Sequence, residues 1–182
     1  MSARIGTPTP RLELEAYVRG IATPRQLSLS QYRGRWVVLF FYPRDFTFVC
    51  PTELQAMAAL HKQFEAEHAV VLAASTDSYY SHKAWYESDA RLQAVSFPVI
   101  ADTSHALAAA FGVLLDDGTA LRGTFILDPE GVVRHTLVNA LDVGRNVDET
   151  LRTLRALKTG DLCPGSWKPG QPTLSGTDRA AA

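Results

Sequence analysis

The stretch WVVLFFYPRDFTFVCPTEL, residues 36–54, decides how this chain folds. Its first seven residues are apolar, aromatic or β-branched, which predicts a short strand buried on both faces of a sheet. Pro43 ends that strand. After it, Pro51 and Glu53 suit the first turn of a helix, and apolar side chains then recur at helical spacing. The stretch therefore predicts a strand, a loop and a helix, with Cys50 where the loop meets the helix.

Strands and helices alternate on both sides of this stretch. We predict further strands at 12–18, 70–75, 96–100, 122–127 and 132–138, and further helices at 79–91, 104–111 and 147–157. Asp117-Gly118 is typical of a hairpin turn, and Gly160 suits the C-terminal cap of the last helix. The alternation predicts an α/β fold with a central mixed sheet flanked by helices on both faces.

Length and composition favour one domain with a distinct end. The chain has 182 residues, and 46% of them are hydrophobic, which is ordinary for a folded domain. Residues 164–182 are rich in Pro, Gly, Ser and Ala and are typical of an extended segment. We expect a domain at 1–160 and an extended C-terminal tail at 161–182.

Charge and hydropathy argue against nucleic acid and membrane partners. Lys and Arg number 18 and Asp and Glu number 19, giving a formal net charge of −1, which gives no support for binding a polyanion. The N-terminus shows no apolar signal region, and the longest apolar run, at 36–42, is far shorter than a bilayer requires. These features predict a cytoplasmic protein.

The chain has two cysteines, Cys50 and Cys163. Two are too few for a disulfide-rich scaffold or a four-cysteine metal site, and in a reducing compartment such a pair is more often catalytic or redox-active than structural. A thiol in the first turn of a helix faces unpaired N–H groups and the positive dipole end, which favour the thiolate. Thr47 lies three residues earlier, where its hydroxyl can share a hydrogen bond at the same spot. The alternatives are a small buried hydrophobe at Cys50 and a cap or turn residue at Thr47.

No metal or organic cofactor is predicted. The histidines at 61, 68, 82, 105 and 135 are scattered, so solvent-facing or capping roles are expected for them. No Gly-rich nucleotide loop follows a strand.

Four segments of the chain resemble, in order, those of the typical two-cysteine peroxiredoxins, which include the peroxidase subunit of bacterial alkyl hydroperoxide reductase. The segments are FFYPRDFTFVCPTEL at 40–54, LRGTFILDPEG at 121–131, GRNVDETLR at 144–152 and DLCPGSWKPG at 161–170. Together they span residues 36–170, which is nearly the whole chain. The resemblance implies a thioredoxin-like fold and a thiol-dependent peroxidase.

The resemblance also implies catalytic roles. Cys50 is expected to attack a hydroperoxide and become a sulfenic acid. Thr47 is expected to hydrogen-bond the thiolate and the peroxide, and Arg122 to stabilise charge as the O–O bond breaks. Pro43 is expected to shield the sulfur from water.

Supporting roles are implied for three further residues. Glu53 and Arg145 are expected to form an ionic network that orients Arg122. Tyr42 is expected to help bind the peroxide or gate its pocket. Without the motifs, either arginine would be interpreted as part of an ordinary surface salt bridge.

The same resemblance implies partners. Cys163 is expected to be the resolving cysteine, supplied by the partner subunit of a homodimer, with five such dimers often forming a ring. The substrates are expected to be hydrogen peroxide and organic hydroperoxides, and the reductant either thioredoxin or a dedicated flavoprotein disulfide reductase.

Two other functions stay open at this point. A thioredoxin-like disulfide reductase normally carries Cys-x-x-Cys at the helix start, whereas Cys50 is followed by Pro-Thr-Glu. An oligomeric chaperone acting through an exposed apolar surface is the second alternative.

Overall fold

The computed structural model describes residues 3–174, which form one mixed sheet with helices on both faces. The strands are β1 Leu14–Tyr17, β2 Arg25–Leu27, β3 Trp36–Phe41, β4 Ala69–Ser75, β5 Val99–Ala101, β6 Arg122–Leu127 and β7 Val133–Asn139. The α-helices are α1 Cys50–Ala66, α2 Tyr79–Ser88, α3 Ala106–Ala110 and α4 Val147–Thr159. Short 3-10 turns lie at Leu29–Tyr32 and Ala90–Leu92.

The sheet has seven strands in the order β2-β1-β5-β4-β3-β6-β7. β4 runs parallel to both β3 and β5, while the remaining neighbours pair antiparallel. β3 therefore lies inside the sheet, between β4 and β6. The predicted mixed sheet is confirmed.

Alternate side chains of β3 belong to two different cores. Val38 and Phe40 pack in the core that contains the buried residues of α1, α2 and α4. Leu39 and Phe41 pack in the opposite core, which contains those of α3. This explains why the strand is apolar along its whole length, as the sequence predicted.

Three local features differ from the predictions. β2 is missed because it has only three residues and two of them are exposed. At Asp117-Gly118 the chain makes a tight turn closed by an isolated bridge between Leu114 and Ala120, and β6 pairs with β3 and β7 instead. The helix predicted at 79–91 ends at Ser88, because Asp89 is extended and its carboxylate accepts from the N–H of Arg91.

α1 and α4 lie side by side and run in the same direction. Arg145, just before α4, bonds to Glu53 in the first turn of α1. At the far ends, Lys158 near the end of α4 bonds to Glu67 just after α1. The two helix starts, and Cys50 with them, therefore lie at one end of the pair. Gly160 caps α4 with a positive φ of 70°, as predicted.

The described part of the predicted tail, residues 161–174, is irregular and folds back on itself. Leu162 and Leu174 form an isolated bridge. Trp167 is 5% exposed, and its carbonyl accepts from Arg152 of α4 at 3.0 Å. The rest of the predicted tail, 175–182, lies outside the described residues. Among the residues described, no helix is long and apolar enough to cross a membrane.

Candidate active site

Cys50 is the first residue of α1 and lies in the larger of the two cores. Its relative exposure is 0%. Pro51 follows it, and no side chain caps this end of the helix. The thiol is therefore buried at the N-terminal end of α1, where the helix dipole favours negative charge.

Arg122, the first residue of β6, reaches Cys50 from a distant part of the chain. Its Nη1 donates to the Sγ of Cys50 at 3.4 Å and to Glu53 at 2.7 Å. Its Nε donates to the carbonyl of Leu141 at 2.7 Å. Arg122 as a whole is 4% exposed. Its guanidinium is therefore held in place by these three protein contacts, with little access to solvent.

Arg145 holds Glu53 from the other side. Its Nε donates to Oε1 at 2.8 Å and its Nη2 to Oε2 at 3.0 Å, while its backbone N–H also reaches Oε1 at 2.9 Å. The guanidinium packs over the ring of Phe40, 3.4 Å from the centroid, and also donates to the carbonyl of Gly123 at 2.7 Å. Glu53 is thereby fixed, and Arg122 with it.

Charge in this cluster is unbalanced in favour of an anion. Two guanidiniums face the single carboxylate of Glu53, and all three residues are buried. Burial lowers the pKa of Arg145 from its usual value, although an arginine stays protonated in proteins. The cluster suits a thiolate at Cys50, because one positive charge is otherwise uncompensated in a buried site.

Thr47 and Pro43 lie in the segment between β3 and α1, residues 42–49, here called the Cys50 loop. Pro43 is buried and Thr47 is partly exposed. The Thr47 hydroxyl donates to the carbonyl of Arg44 at 2.9 Å, and no hydrogen bond between Thr47 and Cys50 is found among the described residues. The loop thus places Thr47 near the start of α1, with its hydroxyl proton donated to the carbonyl of Arg44.

Tyr42 does not have the environment predicted for it. It was expected to bind peroxide or gate the pocket, but its side chain is 0% exposed and its hydroxyl donates to Asp45 at 2.7 Å. His82 Nδ1 lies 2.8 Å from the other oxygen of that carboxylate, and Tyr86 donates to Tyr42 at 3.4 Å. Burial raises the pKa of both tyrosines well above the usual range. Tyr42 therefore anchors the Cys50 loop through Asp45.

His82 is buried, contrary to the role predicted for it from the sequence. It was expected to face solvent or cap an element, yet it is 0% exposed, with its Nε2 3.2 Å from the carbonyl of Ile100. Tyr79, His82 and Tyr86 are spaced as one face of α2, and that spacing is the signal that indicates burial.

Cys163 lies far from this cluster within the chain. Its Sγ is 3.7 Å from the carbonyl of Ala156 and 3.5 Å from the hydroxyl of Thr159, near the end of α4. It lines a cavity of about 240 Å³ that Arg134 also borders. Both cysteines are free thiols. The structure therefore brings together Cys50, Glu53, Arg122 and Arg145, but not Cys163.

In the described part of the chain, no group of three His, Cys, Asp or Glu side chains is arranged so that it could hold a metal ion. The cluster at Cys50 is cationic. It therefore suits an anion or a polar oxygen compound rather than a metal ion.

The chain is similar to known proteins over most of its length. The family model described as AhpC/TSA matches residues 5–136. The chain is 45% identical to a putative peroxiredoxin, YkuU, of Bacillus subtilis over 175 residues, which is 93% of this chain and 97% of that protein. It is 47% identical to peroxiredoxin prdx-2 of Caenorhabditis elegans over 180 residues, 94% of this chain and 89% of the other.

Solved structures show the same fold. The reduced 2-Cys peroxiredoxin of Plasmodium vivax superposes with a TM-score of 0.90 at 33% identity, covering 96% of this chain and 94% of that one. AhpC of Enterococcus faecalis gives 0.84 at 36% identity, covering 90% and 100%. The expected thioredoxin-like fold is confirmed.

Proposed function

Because this chain belongs to the AhpC/TSA family of peroxiredoxins, which are thiol peroxidases, we propose that it reduces hydrogen peroxide and organic hydroperoxides through Cys50. One observation carries the proposal. The Sγ of Cys50 is buried at a helix start, 3.4 Å from the Nη1 of Arg122. This is the environment of a reactive thiolate rather than of a structural thiol.

The chemistry proposed at Cys50 is a displacement on oxygen. The thiolate attacks the oxygen that carries the O–H, forming an S–O bond as the O–O bond breaks, and the other oxygen leaves and takes up the proton that the thiol released, giving water or an alcohol. Cys50 is oxidised to a sulfenic acid and the peroxide is reduced. Arg122 lies where negative charge develops on the oxygens, and such fixed cationic donors contribute strongly to catalysis. Glu53 and Arg145 fix Arg122 and so act as positioning residues.

Thr47 is proposed to accept a hydrogen bond from the hydroperoxide. Its hydroxyl proton is donated to the carbonyl of Arg44, so its oxygen is left as an acceptor. A hydroperoxide that enters beside Cys50 carries an O–H group, and the Thr47 oxygen can accept a hydrogen bond from it. Pro43, buried at the start of the loop, is proposed to limit water around the sulfur.

Resolution is proposed to use Cys163 of a partner subunit. Cys163 packs near the end of α4, whereas Cys50 lies where α1 and α4 begin, so on the order of 15–20 Å of helix separates them within one chain. A disulfide requires Cα atoms within about 7 Å. Attack by a partner's thiol on the sulfenic sulfur gives the disulfide and releases water.

A homodimer is proposed to bring Cys163 of one subunit to Cys50 of the other. β7 is an edge strand of the sheet, and Val138 on it is 42% exposed, which favours pairing with a second copy. Phe48 and Tyr80 are 90% and 76% exposed, and such apolar surface is the kind that a further assembly into a ring of five dimers would cover. We propose residues 161–182 as the tail that delivers Cys163.

The disulfide is proposed to be reduced by a thioredoxin-type protein or by a dedicated flavoprotein disulfide reductase. Either reductant acts by thiolate attack on the disulfide, which returns both thiols. A cytoplasmic location is also proposed, on the features of the sequence that predicted it.

Peroxide consumption tests the function. With dithiothreitol as reductant, the wild type is expected to consume hydrogen peroxide and cumene hydroperoxide catalytically, while Cys50→Ser consumes neither. Thr159→Val serves as the matched control: it removes a hydroxyl that lies 3.5 Å from the Cys163 Sγ and that bonds to Ala156 and Asp161, and it should keep the wild-type rate of Cys50 oxidation. Wild-type consumption by Cys50→Ser would overturn the proposal.

A further inference from the structure

Ser96, His61 and Glu65 form a polar cluster that the chemistry at Cys50 does not use. The Oγ of Ser96 lies 3.0 Å from the Nδ1 of His61, although 35 positions separate the two residues in the sequence. On the other side of the same ring, the Nε2 of His61 lies 4.0 Å from a carboxylate oxygen of Glu65. A hydroxyl, an imidazole and a carboxylate therefore follow one another in a row.

The local structure turns the Ser96 hydroxyl outward. Val95 and Phe97 are each 2% exposed, and side chains of extended backbone alternate in direction. Ser96 between them is exposed. In the described part of the chain, its side chain makes one hydrogen bond, and that bond is to His61. The hydroxyl is thus open to solvent on one side and engaged with an imidazole on the other.

The ring of His61 is held in one orientation. It comes from the middle of α1 and packs edge-on against the ring of Phe97, with centroids 5.4 Å apart and 74° between the planes. The His61 side chain is 15% exposed. Glu65 lies one turn later on α1, and residues four apart share a face of a helix. Both nitrogens of the ring therefore have a defined neighbour.

The protonation of His61 suits a base. Burial lowers the pKa of His61 from its usual value, and Glu65 offsets only part of that effect, so the ring is neutral at neutral pH. A carboxylate beside Nε2 favours the tautomer that carries its proton on that nitrogen. Nδ1 then has the free lone pair, and the Ser96 hydroxyl donates its proton to it.

We propose that Ser96 is a nucleophile and His61 its general base in a second catalytic site, which hydrolyses small uncharged carboxylic esters. A serine hydroxyl bonded to an imidazole that a third group orients is the arrangement that activates a serine. Glu65 acts as the positioning residue. Neither Ser96 nor His61 bonds to a cationic side chain among the described residues, and the carboxylate of Glu65 repels an anionic ester.

The reaction has two steps. In the first, the Ser96 Oγ bonds to the carbonyl carbon of the ester while Nδ1 of His61 takes the hydroxyl proton. The bond from that carbon to the alcohol oxygen breaks, and the leaving alcohol takes up the proton. In the second, water attacks the acyl group on Ser96, His61 takes a proton from the water, and Ser96 leaves and regains that proton as the acid is released. Nothing is oxidised or reduced.

The test uses the full chain with Cys50→Ala and Cys163→Ala, because cysteine thiolates also attack activated esters. p-Nitrophenyl acetate is the probe. Release of p-nitrophenol gives the rate, and mass spectrometry of a digest locates and counts the acetyl group during the first turnover. No peroxide is present, so the result is independent of the proposed peroxidase function.

The acetyl group should appear on Ser96, and Ser96→Ala should abolish the fast phase of p-nitrophenol release. His61→Gln should slow acetylation of Ser96 by roughly 100-fold, the lower end of what a positioned base contributes. Ser88→Ala is the matched control, because the Ser88 hydroxyl donates to the backbone carbonyl of Trp85 at 3.3 Å and has no imidazole beside it. It should keep the rate of the parent.

Glu65→Gln separates positioning from structure. The neutral ring is the base, so acetylation of Ser96 should rise with pH through the pKa of His61. Glu65 favours the charged ring, so its loss should move that rise to lower pH. The plateau should fall at most about fivefold, the equivalent of an exposed ion pair. A rise that stays at the same pH would remove Glu65 from the site.

Two results overturn the second site. One is an acetyl group that is absent from Ser96 or is no more abundant there than on Ser88. The other is acetylation of Ser96 at the parent rate in His61→Gln. Thermal unfolding checks that each variant folds. If His61→Gln unfolds because it loses its packing against Phe97, the location of the acetyl group and the exposed substitution Ser96→Ala still decide the proposal.

Discussion

Arg122 donates from Nη1 to the Sγ of Cys50 at 3.4 Å, although 72 positions separate the two residues in the sequence. The same nitrogen donates to Glu53 at 2.7 Å. Sulfur and carboxylate thus share one donor, and Arg145 on the far side of Glu53 supplies the second positive charge. The site is organised around this shared guanidinium.

Arg122→Lys should slow the oxidation of Cys50 by hydrogen peroxide by roughly 100-fold, the usual effect of removing a fixed donor from a site of developing negative charge. A lysine keeps a charge but loses the planar fork that bonds to Cys50, Glu53 and Leu141 at once. Stopped-flow tryptophan fluorescence measures the rate. Arg25→Gln, on the exposed edge strand β2, should keep the wild-type rate. A wild-type rate in Arg122→Lys would remove Arg122 from the mechanism.

Glu53→Gln should lower the free energy of unfolding by roughly 3 kcal/mol, because two buried guanidiniums lose the carboxylate between them. Urea unfolding at neutral pH measures the change. Glu149→Gln is the comparison: Glu149 also pairs with an arginine, but it is 50% exposed, so its loss should cost less than about 1 kcal/mol. Equal small losses in both variants would mean that the buried network contributes little to stability.

Glu67→Gln should destabilise the protein by about 1 kcal/mol at neutral pH. The hydrogen bond from Lys158 lowers the pKa of Glu67 from its usual value. A lowered pKa in the folded state stabilises that state at pH above the unfolded pKa, and the benefit disappears as the pH falls through the folded pKa. Wild type and Glu67→Gln should therefore differ at pH 7 and converge in acid, as urea unfolding across pH can measure.

Glu65→Gln is the control for this pH dependence. Glu65 lies two residues before Glu67, is 58% exposed and is 4.0 Å from His61, so its substitution should change stability little at any pH. A Glu67→Gln difference that stays constant down to acid would show that charge is not its origin.

Gly123→Ala should cost about 1–3 kcal/mol of stability, the usual effect of overpacking. A Cβ at this position would lie 2.8 Å from Val113 Cγ1 and 2.9 Å from the Phe125 ring. The carbonyl of Gly123 accepts a hydrogen bond from Arg145. A displacement of the backbone at Gly123 should therefore move Arg145 and slow Cys50 oxidation. At Gly165 a Cβ meets nothing within 4 Å, and Gly165→Ala should unfold at the wild-type urea concentration. Gly123→Ala with wild-type stability would contradict the packing argument.

The sequence predicts the parts of the fold that depend on local pattern. The apolar run at 36–42 identifies the central strand, and the spacing after Pro51 identifies α1, because burial on both faces and helical periodicity both leave local signatures. β2 leaves none, since it is three residues long and mostly exposed.

The site is predictable only in part for the same reason. The placement of Cys50 at a helix start is a local feature. The approach of Arg122 and Arg145 to Glu53 joins positions 69 and 92 apart, and it is expected only through resemblance of the surrounding segments. The hydrogen bonds that join Tyr42 and His82 to Asp45, and the contact of Arg44 with Thr119, are products of tertiary packing, which periodicity does not record.

In the proposed mechanism, Cys50 is oxidised by peroxide and then resolved by Cys163 of a partner subunit. Co-expression of a tagged Cys50→Ser chain with an untagged Cys163→Ser chain tests it most directly, because each chain keeps one of the two thiols. After peroxide, non-reducing electrophoresis should show a covalent dimer of tagged and untagged chains, with Cys50 and Cys163 peptides joined in its digest, and neither variant alone should form that link. A mixture without the link, beside a wild type that forms a disulfide within one chain, would contradict the claim.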